Sequence, residues 1–420
     1  MTHAANNPFF GKFKTPFETP PFDKIKIEHY EPAFDEGIKQ MEKEVQEIAN
    51  NPQPATFENT VVALERSGKL LETVSSVFFE CIRGRRLTDE MMEISQRVSP
   101  KLSQTSNNIF LNEKLLARVK SIYDKKEQLN LSTEDAKLLE DLYESFKANG
   151  ATLNKDDKEK YRKLSMDLSM LTLQFDQNAL KDKNRFELLI TDENELSGLP
   201  ESARDAAAML AKSKDKDGWL FNLSAPSYIP FMRYSDKRDL REKMYREYMS
   251  VGNKGDEFDN KDIIKKIVNI RLEIAQLMGF KNYAEYALEH TMAKNSANVY
   301  KLLNQLLEAY KPIAINEYNA VEGFALGTEK ENITVMPWDW SYYSEKLRDI
   351  RFKVNDEMTR PYFELSNVKK GVFGLATQLY GITFKENKEI PVYHPEVDAY
   401  EVYDADGKFL AIPLYGLLPS

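Results

Sequence analysis

Four histidines, His3, His29, His290 and His394, are the first residues to test for chemistry. No two of them lie four residues apart, so no helix turn can present a histidine pair to a metal ion. Convergence of three distant histidines is the weaker reading, because neutral histidine commonly serves as a hydrogen-bonding structural residue. The single cysteine, Cys81, sits in Phe-Phe-Glu-Cys-Ile. That apolar setting suits a buried, inert thiol better than a nucleophile. The chain contains no G-x-S-x-G elbow, no G-x-x-x-x-G-K-S/T loop and no G-x-G-x-x-G turn. With 67 acidic residues, paired carboxylates on one helix face arise by chance and carry no weight. The run Trp338-Asp339-Trp340-Ser341-Tyr342-Tyr343 follows Pro337. Asp339 is placed to cap a helix there, with aromatic rings on either side. The rings read either as a wall of a peptide channel or as a packing anchor between subdomains, and spacing alone favours the anchor.

The elements around these residues are mostly helical. Tyr30, Phe34, Ile38, Met41, Val45 and Ile48 recur at three- and four-residue steps and form one apolar stripe. Asn50, Asn51 and Pro52 end it. Thr56 is a candidate N-cap, with Asn59 in place of the usual acid or Gln, a partial capping signal. Tyr161, Leu164, Leu168, Leu171 and Phe175 form a second stripe. Ile263, Ile267, Ile270, Ile274 and Leu277 form a third, closed by Gly279. Further helices are expected from Ser296 to Pro312, from Ser341 to Val354, and from Val368 to Tyr380 with Gly381 as the stop. Short β-prone runs occupy 186–190 and 219–223. A hairpin is expected where 399–403 and 408–412 flank Asp404-Ala405-Asp406-Gly407. At the start, Pro8, Pro16, Pro20 and Pro21 alternate with Phe9, Phe10, Phe13, Phe17 and Phe22. Proline blocks helix and phenylalanine seeks burial, so an extended arm lying on the body is expected.

Composition bounds the class. A chain of 420 residues exceeds one simple core, and 42% hydrophobic residues suffice to build more than one. A formal net charge of -9 argues against a nucleic-acid partner, which requires clustered positive charge. One cysteine excludes an intrachain disulfide and fits a reducing compartment. No stretch reaches the ~18 apolar residues of a membrane helix, and the N-terminus has no signal-like apolar region, so no membrane partner and a cytoplasmic location are expected.

Several blocks carry a resemblance. They include Ile27-Glu28-His29-Tyr30-Glu31-Pro32-Ala33-Phe34, Thr56-Phe57-Glu58-Asn59-Thr60, Leu223-Ser224-Ala225-Pro226-Ser227-Tyr228 and Met278-Gly279-Phe280-Lys281-Asn282-Tyr283-Ala284. Trp338-Asp339-Trp340, Arg360-Pro361-Tyr362-Phe363 and Pro391-Val392-Tyr393-His394-Pro395-Glu396-Val397 follow in the same order. Together they resemble the peptidyl-dipeptidase Dcp branch of the thimet oligopeptidase and oligopeptidase A family of zinc metallopeptidases, over the N-terminal three-fifths of a member. Tyr393 resembles the dipeptidase branch, since oligopeptidase A tends to carry Trp there.

The resemblance implies a mainly α, neurolysin-like fold with a deep channel, incomplete in this chain, and a small β-sheet near its C-terminal end. The expected regions are a helical 1–150 with the Pro/Phe-rich arm, a helical channel wall over 151–390, the start of the catalytic-domain sheet over 391–412, and an aberrant tail over 413–420. It also implies zinc-dependent release of C-terminal dipeptides from short peptides. The family binds zinc through H-E-x-x-H and a later Glu, with the Glu inside the motif as general base. None of those positions occurs in this sequence. No catalytic, cofactor-binding or metal residue is therefore assigned, no zinc is expected to bind, and the chain alone is expected to be inactive. Two alternatives are a non-catalytic helical peptide-binding protein and an oligopeptidase A-type endopeptidase fragment. A missing C-terminal half is a further expected partner.

The ending departs from the family pattern, which continues with something like Leu-Tyr-x-Asp-Phe-Phe-Pro. One set of codons for 413–419, shortened by one base, reads Leu-Tyr-Met-Asp-Phe-Phe-Pro. A frameshift after Ile412 is the expected origin of the tail. Helices that would meet the catalytic half are expected to expose their apolar stripes.

Overall fold

The structure is a computed structural model. It describes residues 7–83, 88–329 and 333–416, without the side chains of 81–83. The side chain of Cys81, together with His3 and residues 417–420, therefore lies outside the described residues.

The N-terminal arm is extended and studded with short turns, as its prolines require. Phe9 is buried and meets Tyr30, while Phe13 and Phe22 are half-buried against the same cluster. Phe17 stays largely exposed but stacks on Phe409, almost four hundred residues later, with ring centroids 4.6 Å apart. The arm thus lies on the body through its rings.

Helix α1 spans Tyr30–Ala49, α2 Lys69–Arg83 and α3 Asp89–Phe110. Tyr30, Phe34, Val45 and Ile48 of the first stripe are all buried. α1 contacts both α2 and α3, and Phe34 and Phe78 meet edge to face at the centre of that cluster. Burying such side chains stabilises by roughly 1.5–3 kcal/mol each. Between α1 and α2, the Thr56 hydroxyl accepts from the Asn59 N–H and the Asn59 side chain accepts from the Thr56 N–H, so the capping box closes fully. The amide oxygen of Asn does the work usually given to Glu or Gln.

Then come α4 Glu113–Tyr123, α5 Thr133–Ala148 and the long α6 Lys155–Arg185. α6 packs against both α3 and α10 along the same stretch, about 160–178. β1 Leu188–Ile190 and β2 Trp219–Phe221 pair antiparallel on either side of α7 Glu201–Ser213. α8 Ala225–Tyr234 and α9 Arg238–Met249 follow, then α10 Lys261–Leu277, which buries Ile263, Ile267 and Ile274. Just past α10, Gly279 takes the left-handed conformation expected of a stop.

After α11 Tyr283–Leu288, helix α12 runs Ser296–Thr328. The expected end at Pro312 is wrong: the helix passes through it. Proline removes one intrahelical hydrogen bond and crowds the preceding turn. The good helix formers on both sides keep the remaining ladder. α13 Trp340–Phe352 and α14 Leu365–Tyr380 are the last long helices, with Gly381 in the left-handed region after α14.

The terminal sheet contains β3 Thr383–Glu386, β4 Val397–Tyr403, β5 Phe409–Ala411 and β6 Leu414–Gly416, all antiparallel about β4. The expected hairpin is present as β4 and β5. Residues 414–416, expected as aberrant tail, pair with Val397–Ala399 of β4. The fold is mainly α with a small antiparallel sheet near the C-terminal end.

Candidate functional site

The densest polar constellation joins the segment from α8 to α9 with the start of α13. Asp339 and Arg241 are both fully buried. Arg241 donates to Asp339 Oδ1 at 2.8 Å, to the Ser235 carbonyl at 2.7 Å and to the Trp338 carbonyl at 3.3 Å. Its guanidinium lies 4.0 Å from the centre of the Tyr342 ring. Arg238 adds a second fork, donating to Asp339 Oδ2 at 2.7 Å and to the Thr334 carbonyl.

Asp339 stands at the N-cap position of α13, but its side chain makes no cap hydrogen bond, contrary to expectation. It accepts instead from the Met336 N–H at 3.1 Å and from the two arginines. Two guanidinium groups outcompete one weak helix N–H for a buried carboxylate. Burial alone would raise the Asp339 carboxyl. Hydrogen bonds from Arg238, the Met336 N–H and Arg241 outweigh that, and the group is held below its usual range.

The rings around this knot are locked as well. Trp338 is buried in the cluster with Phe221, Phe231 and Met244. The Tyr342 hydroxyl donates to Asp236 at 2.8 Å, and the Tyr343 hydroxyl donates to Glu329 at 2.6 Å. Burial first, and then these acidic acceptors, push both phenols upward. A carboxylate with its lone pairs filled and phenols that hold their protons have no vacancy for substrate. Within the run 338–343, Trp338, Asp339, Tyr342 and Tyr343 are buried and pack as an anchor, whereas Trp340 is 37% exposed and stacks on Tyr318.

A second buried carboxylate, Asp182, receives Arg185 Nε at 2.7 Å, Lys254 at 3.1 Å and the Gly252 N–H at 2.7 Å. It clamps the loop after α9 onto the end of α6. Neither arginine of the first knot was marked in the sequence, nor was Asp182. Apart from Arg185 beside Asp182 and Ser235 beside Arg241, their partners lie about seventy to a hundred residues away, and no local spacing signals such pairs.

The three described histidines, His29, His290 and His394, do not converge. His29 Nδ1 accepts from the Lys26 N–H, and His394 Nδ1 accepts from the Glu396 N–H. His290 lies 3.4 Å from Glu289 and 3.9 Å from Glu144. Among the described residues, no group of three or more His, Cys, Asp or Glu side chains could hold a metal ion. The His394 segment faces the arm instead: Tyr393 meets Phe22 edge to face, centroids 5.7 Å apart.

Comparison with known proteins gives this architecture a lineage. Residues 231–415, from α8 through the buried knot to the terminal sheet, match the model of Peptidase family M3. The chain is 35% identical to the dipeptidyl carboxypeptidase of Escherichia coli over 412 residues, which is 98% of this chain and 60% of that protein. It is 33% identical to Escherichia coli oligopeptidase A over 94% of this chain and 58% of that protein. The thimet-like oligopeptidase of Dictyostelium discoideum is 24% identical over 90% of this chain. The chain thus spans about three-fifths of the length of the curated relatives it matches. The ordered blocks, the helical architecture and the terminal sheet all agree with the match of residues 231–415 to Peptidase family M3 and with the similarity of nearly the whole chain to these peptidases.

Proposed function

We propose that this chain supplies the helical, peptide-facing part of a zinc-dependent peptidyl-dipeptidase, which removes dipeptides from the free C-termini of short peptides. The observation that carries the reading is the match to a dipeptidyl carboxypeptidase along 98% of the chain. Tyr393, at a position where the endopeptidase branch tends to carry Trp, supports the same branch. Short peptides are the substrate class, and zinc is the metal of the complete enzyme. The 420 residues hold no H-E-x-x-H, so hydrolysis requires residues other than these, and the chain by itself releases no dipeptide.

The test is release of the C-terminal dipeptide from a short, N-terminally blocked peptide. One sample contains this chain alone. The other contains it fused to the two-fifths of Escherichia coli dipeptidyl carboxypeptidase that it does not match. Expected are no product from the chain alone, and chelator-sensitive product from the fusion when the substrate has a free carboxyl group. Chelator-sensitive product from the chain alone would overturn the inactivity. Equal cleavage of a substrate whose C-terminus is an amide would replace the dipeptidase by an oligopeptidase A-type endopeptidase, the reading favoured by the 33% identity to that protein.

A further inference from the structure

Helix α12 starts from a short anchor. Over 301–319 every residue of it is exposed, so its first turns are held by α11 and by the loop 289–295 in front of it. The Asn295 side chain caps the helix by accepting from the Asn298 N–H, and the Ser296 hydroxyl donates to Glu285 of α11. α11 in turn leans on α5, where the Tyr286 hydroxyl donates to the Ala148 carbonyl at 2.7 Å. Past that bond the loop and α5 part, and an open cleft of about 530 Å³ lies between them.

His290 lines that cleft. Its Nε2 lies 3.4 Å from Glu289 of its own loop and 3.9 Å from Glu144 of α5. The second distance is too long for a hydrogen bond but within reach of an ion pair once the ring is charged. The remaining charges are partly spoken for. Glu144 also receives Lys147 at 2.8 Å. Lys137 binds Asp141 at 2.7 Å and lies 4.0 Å from Glu140. Lys294 faces the cleft from the loop. Four carboxylates thus meet three lysines, which leaves one excess negative charge while the ring is neutral. One proton on His290 cancels it.

We propose that protonation of His290 draws the loop 289–295 onto α5 through Glu144 and so tightens the anchor of α12, which makes this junction a pH-sensitive latch. Histidine is the side chain whose charge ordinarily changes between pH 5 and 8, so the latch closes on the acid side of that range and opens on the alkaline side. The cleft gives the loop room to move, and the Tyr286 bond gives it a pivot. His290 and Glu289 are each nearly half exposed, so water and salt screen the charges and the effect is modest. The latch does not depend on the peptidase reading, because its readout is the position of a loop.

The experiment is hydrogen exchange of the full chain, read by mass spectrometry at about pH 6 and about pH 8, on either side of the ordinary histidine transition. Protection factors, which divide out the chemical exchange rate, are compared for peptides covering 289–299. There the Thr291, Lys294 and Val299 N–H groups donate to the Leu288, Thr291 and Asn295 carbonyls. Protection of this segment should be roughly two- to fourfold higher on the acid side, the order of one exposed ion pair. His290→Gln and Glu144→Gln should each abolish the gain. His290→Arg, charged at both pH values, should keep the acid-side protection throughout, and it decides the matter should either glutamine variant misfold. No gain in the wild type would overturn the proposal. So would a gain that survives in His290→Gln, since another group would then carry the proton. A gain that survives in Glu144→Gln would confine the proton to Glu289 within the loop and would overturn the latch as well. So would wild-type pH dependence in His290→Arg, or an equal gain in peptides of α1, which would assign the response to global stability.

Discussion

Arg241 and Asp339, 98 residues apart in sequence, meet at 2.8 Å with neither side chain open to solvent. Buried pairs of this kind add little net stability over apolar neighbours of the same shape, but breaking one leaves an uncompensated charge. The pair also decides which backbones meet, because Arg241 holds the Ser235 and Trp338 carbonyls at once.

Asp339→Ala should therefore destabilise by about 3–5 kcal/mol, measured by urea unfolding. Arg238 is partly exposed and can turn to water, so Arg238→Ala should cost clearly less. The double change Arg241→Met/Asp339→Leu should cost less than the sum of its single changes, because the two residues share one network. Additive losses would refute the coupling.

The same carboxyl sets an acid limit. Asp339 has its folded-state pKa held below the ordinary value of 3.8. A group whose folded pKa is depressed contributes stability above its unfolded pKa and loses it as pH falls through the folded one. Unfolding midpoints should thus drop as pH is lowered beneath about 4, and Asp339→Asn should flatten that slope. An unchanged slope in Asp339→Asn would assign the acid sensitivity to other carboxyls.

The arm separates anchoring rings from decorative ones. Phe9 is buried against Tyr30, so Phe9→Ala should cost about 3–5 kcal/mol. Phe17 is 44% exposed and touches one ring, so Phe17→Ala should cost under about 1.5 kcal/mol, near the value of a single aromatic pair. Thermal melts of the two variants should show that order. The reverse order would mean that the arm docks in another register.

Gly198 and Gly255 offer a matched contrast. Both have positive φ, +84° and +72°. A Cβ at Gly198 would stand 2.1 Å from the Tyr234 carbonyl oxygen, whereas one at Gly255 would meet nothing within 4 Å. Gly255→Ala should cost only the left-handed strain, about 1–2 kcal/mol. Gly198→Ala must in addition push apart the turn in which the Asp236 N–H donates to the Ser197 carbonyl, and should lose far more. Equal denaturation midpoints would count against this geometry.

The parts of this fold that could be read in advance are those with a local cause. The stripe from Tyr30 to Ile48, the isoleucine stripe closed by Gly279 and the Asp404–Gly407 turn each encode their element within a few residues. Pro312 misled because a proline in a long helix costs one rung, and the thirty-two other residues outvote it. Asp339 misled because a capping residue looks the same in sequence whether it meets a helix N–H or two distant arginines. The absence of a histidine pair was legible, since metal geometry demands it locally. The Arg241–Asp339 pair and the grip of Asp182 on Gly252 were not, because only the folded chain makes neighbours of residues seventy or more positions apart.

The stacking of Phe17 on Phe409 also has a meaning in time. A ribosome delivers Phe17 at the outset and Phe409 near the end of these residues, so the ring spends almost the whole of synthesis without its final neighbour. Until β5 emerges, this part of the arm is a loose flap held upstream by Phe9, and nascent chains halted before β5 should be clipped there by proteases sooner than finished ones.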